Sequence, residues 1–245
     1  MSELPSIVPS MNESRGFLIF HSAILAIVLI GFGRSYYLRD WFLVRPLDIP
    51  LRIHGLFLTC WFVATVVQSY LAYSGRGSLH RKVAWLAGIA ALGVVISATW
   101  INTRLALEIR SPQEPENAFI WSNYMSLAVF VALFATALFK RREAQKHRRL
   151  MLLASIAIVG PAFARFAFWP IFGYGVAGGA PFALGGLLLL MLTLVGYDLA
   201  TLKKVHSTTL RGITAIILFI ALGVGLGLSG VGFQVFSRVL NAATA

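Results

Sequence analysis

Cysteine is nearly absent from this chain: Cys60 is the only one in 245 residues. No intramolecular disulfide can form, which excludes a disulfide-stapled scaffold. Cys60 lies inside an apolar run and is expected to act as a small buried apolar residue. Acidic residues are scarce as well, nine against 21 lysines and arginines, and charges of both signs make up only 12% of the chain. No two carboxylates share an apolar run, so a paired-acid relay is not on offer. The chain also lacks a phosphate-binding glycine loop, an HExxH helix and a nucleophile elbow. Its last apolar run has no lysine, which argues against a retinal Schiff base. Long polar stretches are missing too. The connections between apolar runs, Asn102 to Glu116 among them, are too short for a soluble domain, so residues 1–245 read as a single domain.

What fills the chain instead is hydrocarbon. Apolar residues make up 58% of it and the mean hydropathy is +0.79, beyond the range of ordinary soluble domains. Seven runs of about 20 residues are each long enough to cross a bilayer as a helix. They span 15–33, 51–73, 83–101, 118–139, 150–172, 181–200 and 213–236. None shows the strict alternation of a barrel strand, and a polar backbone crosses lipid only as helix or closed barrel. The expected fold class is therefore an all-α integral membrane protein with seven transmembrane helices. Met1 to Glu13 has no basic n-region and no small-residue cleavage site follows, so the first run reads as a retained anchor.

The net charge of +12 would suggest nucleic acid in a soluble protein. Here the bases flank apolar runs, so membrane lipids are the expected partners and nucleic acid is not. The connections 74–82, 140–149 and 201–211 hold 12 of the 21 bases and fall on one side of a seven-span topology. Asn102 to Glu116 carries more acid than base. The excess of positive charge places the N-terminus in the cytoplasm and the C-terminus on the opposite side. The connection holding Arg34, Arg39, Arg45 and Arg52 against Asp40 and Asp48 dissents. Its Tyr36, Tyr37, Trp41 and Phe42 read as an interfacial aromatic belt with a short surface helix.

The segment HRKVAWLAGIA from His80 is echoed by HRRLMLLASIA from His147. At that offset the second run falls on the fourth, so helices 2–3 and 4–5 read as a parallel repeat about an axis along the membrane normal. His80 and His147 are then expected at one depth on the cytoplasmic side. A facing pair of imidazoles there suits a b-type haem. Alternatively, the two His-Arg/Lys helix starts hold lipid phosphate. His206 is expected at the same boundary, as a loop residue with Ser207 or Thr208 capping the last helix, and His21 lies inside the first run. On the opposite side, Arg165 is an intramembrane arginine, which marks a function or a specific partner. His54, Trp121, Asn123 and Thr99, with Asn102, fall at that level and form a candidate ligand pocket for an anionic or carbonyl-bearing molecule such as a quinone. Asp198 is expected to pair with Lys203, Lys204 or Arg211. Pro161 and Pro170 predict a kink or early end beside Arg165. The glycines at 223, 225, 227, 230 and 232 offer a small-residue face for close helix contact, within the chain or with another membrane protein.

The motifs FGRSYYL, IHGLFLTCW, LHRKVAW, HRRLMLLA and YDLATLKKVHSTT, in order along most of the chain, resemble a widespread family of bacterial polytopic inner-membrane proteins. The resemblance implies a multi-pass protein of the bacterial inner membrane with a periplasmic C-terminus, and implies no chemistry. A looser likeness of histidine spacing is to transmembrane b-type cytochromes. The expected function is thus a redox membrane protein binding haem or quinone, with His80, His147, His54 and Arg165 as cofactor ligands or contacts. A non-catalytic subunit or lipid-binding scaffold is the alternative, and a small-solute transporter a further one. No catalytic residue and no metal cluster are legible.

Overall fold

The computed structural model describes residues 11–42 and 45–244, so most of the segment Met1 to Glu13 lies outside it. Among the described residues every regular element is helical. The helices are α1 (Met11–Gly31), α2 (Ile49–Tyr73), α3 (Gly77–Glu108), α4 (Glu116–Phe139), α5 (Ala144–Ile158), α6 (Gly160–Phe166), α7 (Gly175–Leu202), α8 (Ser207–Leu228) and α9 (Val231–Thr244). Six of them, α1 to α4, α7 and α8, are long and apolar enough to cross a bilayer, and α5 with α6 makes a seventh span if the bent pair is one crossing. The architecture is compatible with a polytopic membrane protein. Large apolar side chains such as Ile19, Leu56, Leu92, Ile96, Leu189 and Leu218 stand half or more exposed around the bundle. Water would not tolerate so much apolar surface on a monomer, whereas lipid does.

The bend in the fifth span has a plain cause. Pro161 has no N–H to donate and its ring clashes with the preceding turn, so the helix fails at Val159 and α6 leaves at 46° to α5. The last predicted span breaks as well. It ends at Leu228 instead of running to Phe236, because Gly230 adopts a φ of +73° that turns the chain into α9. Cys60 corrects a further expectation: it is exposed on the outer face of α2. The stretch read as a surface helix is a π-helical turn, Gly33–Tyr37, followed by a 3-10 turn, Arg39–Phe42. Only Trp41 of its aromatics stands well out, at 80% exposure.

The core is built around α5, which at 15 residues is too short to cross a membrane alone. Residues 149, 150 and 152–157 are all buried in it, and it packs against α1, α4, α6, α7 and α8. From Leu150 onward the helix is covered nearly all round and carries no charged residue, so this half shows no polar stripe. The repeat partners differ here. Leu86 and Ile89 of α3 are exposed, while their counterparts Leu153 and Ile156 are fully buried. Next to α5, Trp61 of α2 is wholly buried with its ring edge-on to Phe130 and Phe134 of α4, at 5.0 and 5.4 Å.

The bundle has two ends: a proximal one, where α1 begins, and a distal one, where α1 gives way to the π-helical turn.

Candidate functional site

At the distal end the bundle opens into a cavity of about 530 Å³, a size suited to a drug-sized ligand. Its deep wall is apolar, from Val28, Phe62, Val94, Leu127 and Val159. Its polar groups come from five places: Arg34, Ser35, Tyr36, Tyr37 and Arg39 of the turns after α1, His54 of α2, Asn102 of α3, Asn123 and Ser126 of α4, and Arg165 of α6. The kink at Val159 helps make the room, since Ile158, Val159 and Pro161 all line it.

Local geometry fixes each of these groups. His54 Nδ1 shares a hydrogen bond of 2.9 Å with the Ser97 hydroxyl, whose own oxygen lies 2.6 Å from the Gly93 carbonyl. Asn123 donates to the Asn102 side-chain oxygen at 3.4 Å. Tyr37 hydroxyl and Thr59 hydroxyl are 2.6 Å apart, and Tyr36 donates to the Arg52 carbonyl at 2.8 Å. Burial pushes both tyrosine hydroxyls up from their ordinary pKa, so they stay neutral donors. Arg34 donates to the Phe168 carbonyl and lies over the Phe42 ring at 5.7 Å. Arg39 donates to the Ser35 carbonyl at 2.6 Å. Arg165 is held between the rings of Phe32 and Phe168, at 5.7 and 6.0 Å, with no carboxylate paired to it among the described residues.

Of the pocket residues expected from sequence, the cavity gathers His54, Arg165, Asn123 and Asn102. Trp121 and Thr99 lie elsewhere. Trp121 turns away to stack near Tyr124 and Phe236 at 5.8 and 5.4 Å, and Thr99 is exposed. Arg34, Arg39, Tyr36 and Tyr37 were legible only as a dissenting loop and an aromatic belt. Their inward direction depends on the π-helical turn, which carries no sequence signal.

At the proximal end His80 and His147 face each other with ring centroids 6.5 Å apart. Each imidazole is oriented the same way, by a carbonyl near the end of the helix before it. His80 Nδ1 lies 3.2 Å from the Gln68 carbonyl and His147 Nδ1 2.8 Å from that of Ala137. At His147 the carbonyl only accepts, so Nδ1 carries the proton and Nε2 is left as the basic nitrogen, whereas His80 Nδ1 also meets the Gln68 side-chain amide at 2.6 Å. Neither histidine lines the distal cavity. No group of three or more metal-ligating side chains occurs among the described residues.

Beside this pair lies a charge network that the sequence did not reveal. Arg149, fully buried, donates from Nε and Nη2 to one oxygen of Asp198, at 3.1 and 2.7 Å, and from Nη1 to Glu13 at 3.3 Å. Arg148 lies 3.8 Å from the same glutamate. The second Asp198 oxygen accepts from the His206 N–H at 3.0 Å and the Thr209 hydroxyl at 2.6 Å. Asp198 therefore pairs with Arg149 and not with Lys203, Lys204 or Arg211. The signal was available in principle, because Arg149 opens directly onto the buried run of α5. A further base at the end of a basic loop nevertheless looks solvated.

His206, and neither Ser207 nor Thr208, caps α8: its Nδ1 accepts from the Thr208 N–H at 3.0 Å. That bond needs the neutral ring. Burial and then the nearby Arg149 hold its pKa below the ordinary 6.5. The unfolded chain thus takes up the proton first as pH falls, so stability is complete above about 6.5 and declines below it. Wild-type protein is expected to lose thermal midpoint between pH 7 and 5 more steeply than His206→Ser, which keeps a cap that does not titrate. Equal slopes would show that this ring carries none of the pH dependence.

A comparison of the chain with family models, with curated proteins and with solved structures finds no match.

Proposed function

We propose that this chain is a seven-span protein of the bacterial inner membrane that binds a lipophilic ligand, of which a quinone is one type, in the distal cavity. The observation that carries this reading is the cavity itself: one apolar wall for a hydrocarbon tail, with hydrogen-bond donors gathered at one end. Arg34, Arg39, Arg165 and Asn123 keep N–H groups beyond those already bonded, suited to carbonyl or acidic oxygens. The loop charges support a cytoplasmic N-terminus and a periplasmic C-terminus, which puts the cavity near the periplasmic leaflet. The matched tethering of His80 and His147 supports the parallel repeat of α2–α3 with α4–α5.

The test is to narrow the cavity. Ala98→Phe, on its wall, is expected to weaken saturable binding of decylubiquinone in nanodiscs by about tenfold or more, the effect of removing room for several methylene groups. Binding left unchanged by Ala98→Phe and by Ser126→Phe would place the ligand elsewhere.

A specific observation favours a second site, for haem b. The two imidazoles approach each other with ring centroids 6.5 Å apart, each with a backbone carbonyl behind it that orients the ring. Held by His80 and His147, haem would supply one-electron chemistry, with Arg81 and Arg148 next to the ligands in sequence to answer its propionates. A reduced-minus-oxidised visible spectrum decides this: a Soret and α-band lost in His80→Ala support it, and a colourless preparation from haem-replete cells removes it.

A further inference from the structure

Resting on the cavity reading, we propose that its occupant carries an anionic head, a carboxylate or phosphate on an alkyl chain, seated among Arg34, Arg39 and Arg165. Among the described residues, three guanidiniums line the cavity and no carboxylate does. The acids nearest in sequence are turned to other tasks. Asp48 caps α2 and pairs with Arg104 at 2.6 Å, and Asp40 is exposed beside Arg39 without lining the cavity.

The contrast with the proximal end is the main argument. There the same chain also inserts two arginines among apolar helices, and it answers Arg148 and Arg149 with Glu13 and Asp198. At the distal end three cations face one space, and the described residues lining it supply no counter-charge. A guanidinium in an apolar setting is costly unless paired. Arg165 has two aromatic faces for company, and a ring quadrupole is a weak substitute for an anion.

The donor inventory agrees. Each guanidinium has five N–H groups. Arg34 uses one on the Phe168 carbonyl and Arg39 one on the Ser35 carbonyl. Arg39 Nε and the Ser35 hydroxyl are buried without a partner, both on residues of the cavity lining. A neutral quinone accepts through two carbonyl oxygens and leaves three positive charges standing. A carboxylate or phosphate accepts through two or more oxygens and removes charge at the same time. The apolar wall of Phe62, Val94, Leu127 and Val159 then receives an alkyl chain, which distinguishes the ligand from a free anion.

The experiment measures binding to the full chain in phosphatidylcholine nanodiscs, whose headgroups carry no net charge. The probes are dodecyl phosphate, laurate, dodecanol, decylubiquinone and inorganic phosphate. Dodecyl phosphate and laurate are expected to bind about tenfold or more tighter than dodecanol, the worth of one charge-assisted hydrogen bond. Arg165→Gln is expected to erase that preference and Arg165→Lys to keep part of it. If the glutamine variant fails to fold, Arg39→Gln at the edge of the cavity is expected to reduce the preference.

Equal affinity for dodecanol and dodecyl phosphate overturns the proposal, as does a preference untouched by either arginine variant. Inorganic phosphate binding as tightly as dodecyl phosphate overturns the alkyl chain. Decylubiquinone binding with no preference for anions sinks this inference and leaves the cavity reading standing. If no probe binds, both fall.

Discussion

Replacing Arg149 by methionine is expected to destabilise the protein by about 3–5 kcal/mol, the usual cost of removing one partner from a buried ion pair. Methionine keeps the packing of the aliphatic stem, so the loss comes mainly from charge. Asp198 stays fully buried with one oxygen bonded to His206 N–H and Thr209, while the other loses both of its donors from Arg149. Glu13 loses its 3.3 Å partner at the same moment. The damage reaches α1, α5, α7 and the start of α8, since the network ties all four together. Thermal unfolding of wild type and variant in one detergent measures it. Adding Asp198→Asn to Arg149→Met is expected to recover part of the loss, because the stranded charge is gone. A single variant within about 1 kcal/mol of wild type would mean that water reaches the site and solvates the acid.

The second large effect is expected at the seam between α4 and α8. Gly223 and Gly227 of α8 lie on the backbone of α4: a Cβ on Gly223 would stand 2.6 Å from the Trp121 carbonyl oxygen, and one on Gly227 would meet the Cα of Ala118. Backbone atoms cannot rotate away as a side chain does, so the helices must separate. Gly223→Val and Gly227→Val are each expected to cost about 1–3 kcal/mol, the range for overpacking a tight interior. Gly225 meets nothing within 4 Å and serves as the control: Gly225→Val is expected to fall within about 0.5 kcal/mol. Thermal unfolding of the three variants in one detergent measures the difference, and equal tolerance at all three positions would show that the seam is loose. The glycine stripe is assigned by the same contacts. Gly223 and Gly227 are spent inside the chain, and Gly225 faces open space.

The apolar runs made the helices legible, because crossing length and hydropathy leave one solution for the backbone. Their ends were less so. Pro161 announced the bend, yet Gly230 ended α8 inside a run that hydropathy scored as continuous. Among site residues, Arg165 and His54 stood out as polar groups in apolar sequence. Arg34 and Arg39 did not, since a basic loop between spans looks solvated whichever way its turns point. Arg149 was hidden for the same reason. The run Lys146, His147, Arg148 and Arg149 gave no hint that its last member alone is fully enclosed. What separates them is helical phase against neighbours far along the chain, and single-sequence periodicity within α5 carries no trace of it.

The order in which the network's members are synthesised has a bearing on how the polypeptide enters lipid. Glu13 precedes Arg149 by 136 positions, and Asp198 follows the arginine by 49. Emerging from the ribosome, the arginine finds one counter-ion already installed on the first helix, and the second arrives only with α7. Two acids made at different times therefore hold one base: Glu13 precedes α5 in the chain, and Asp198 afterwards joins α7 and α8 to the pair.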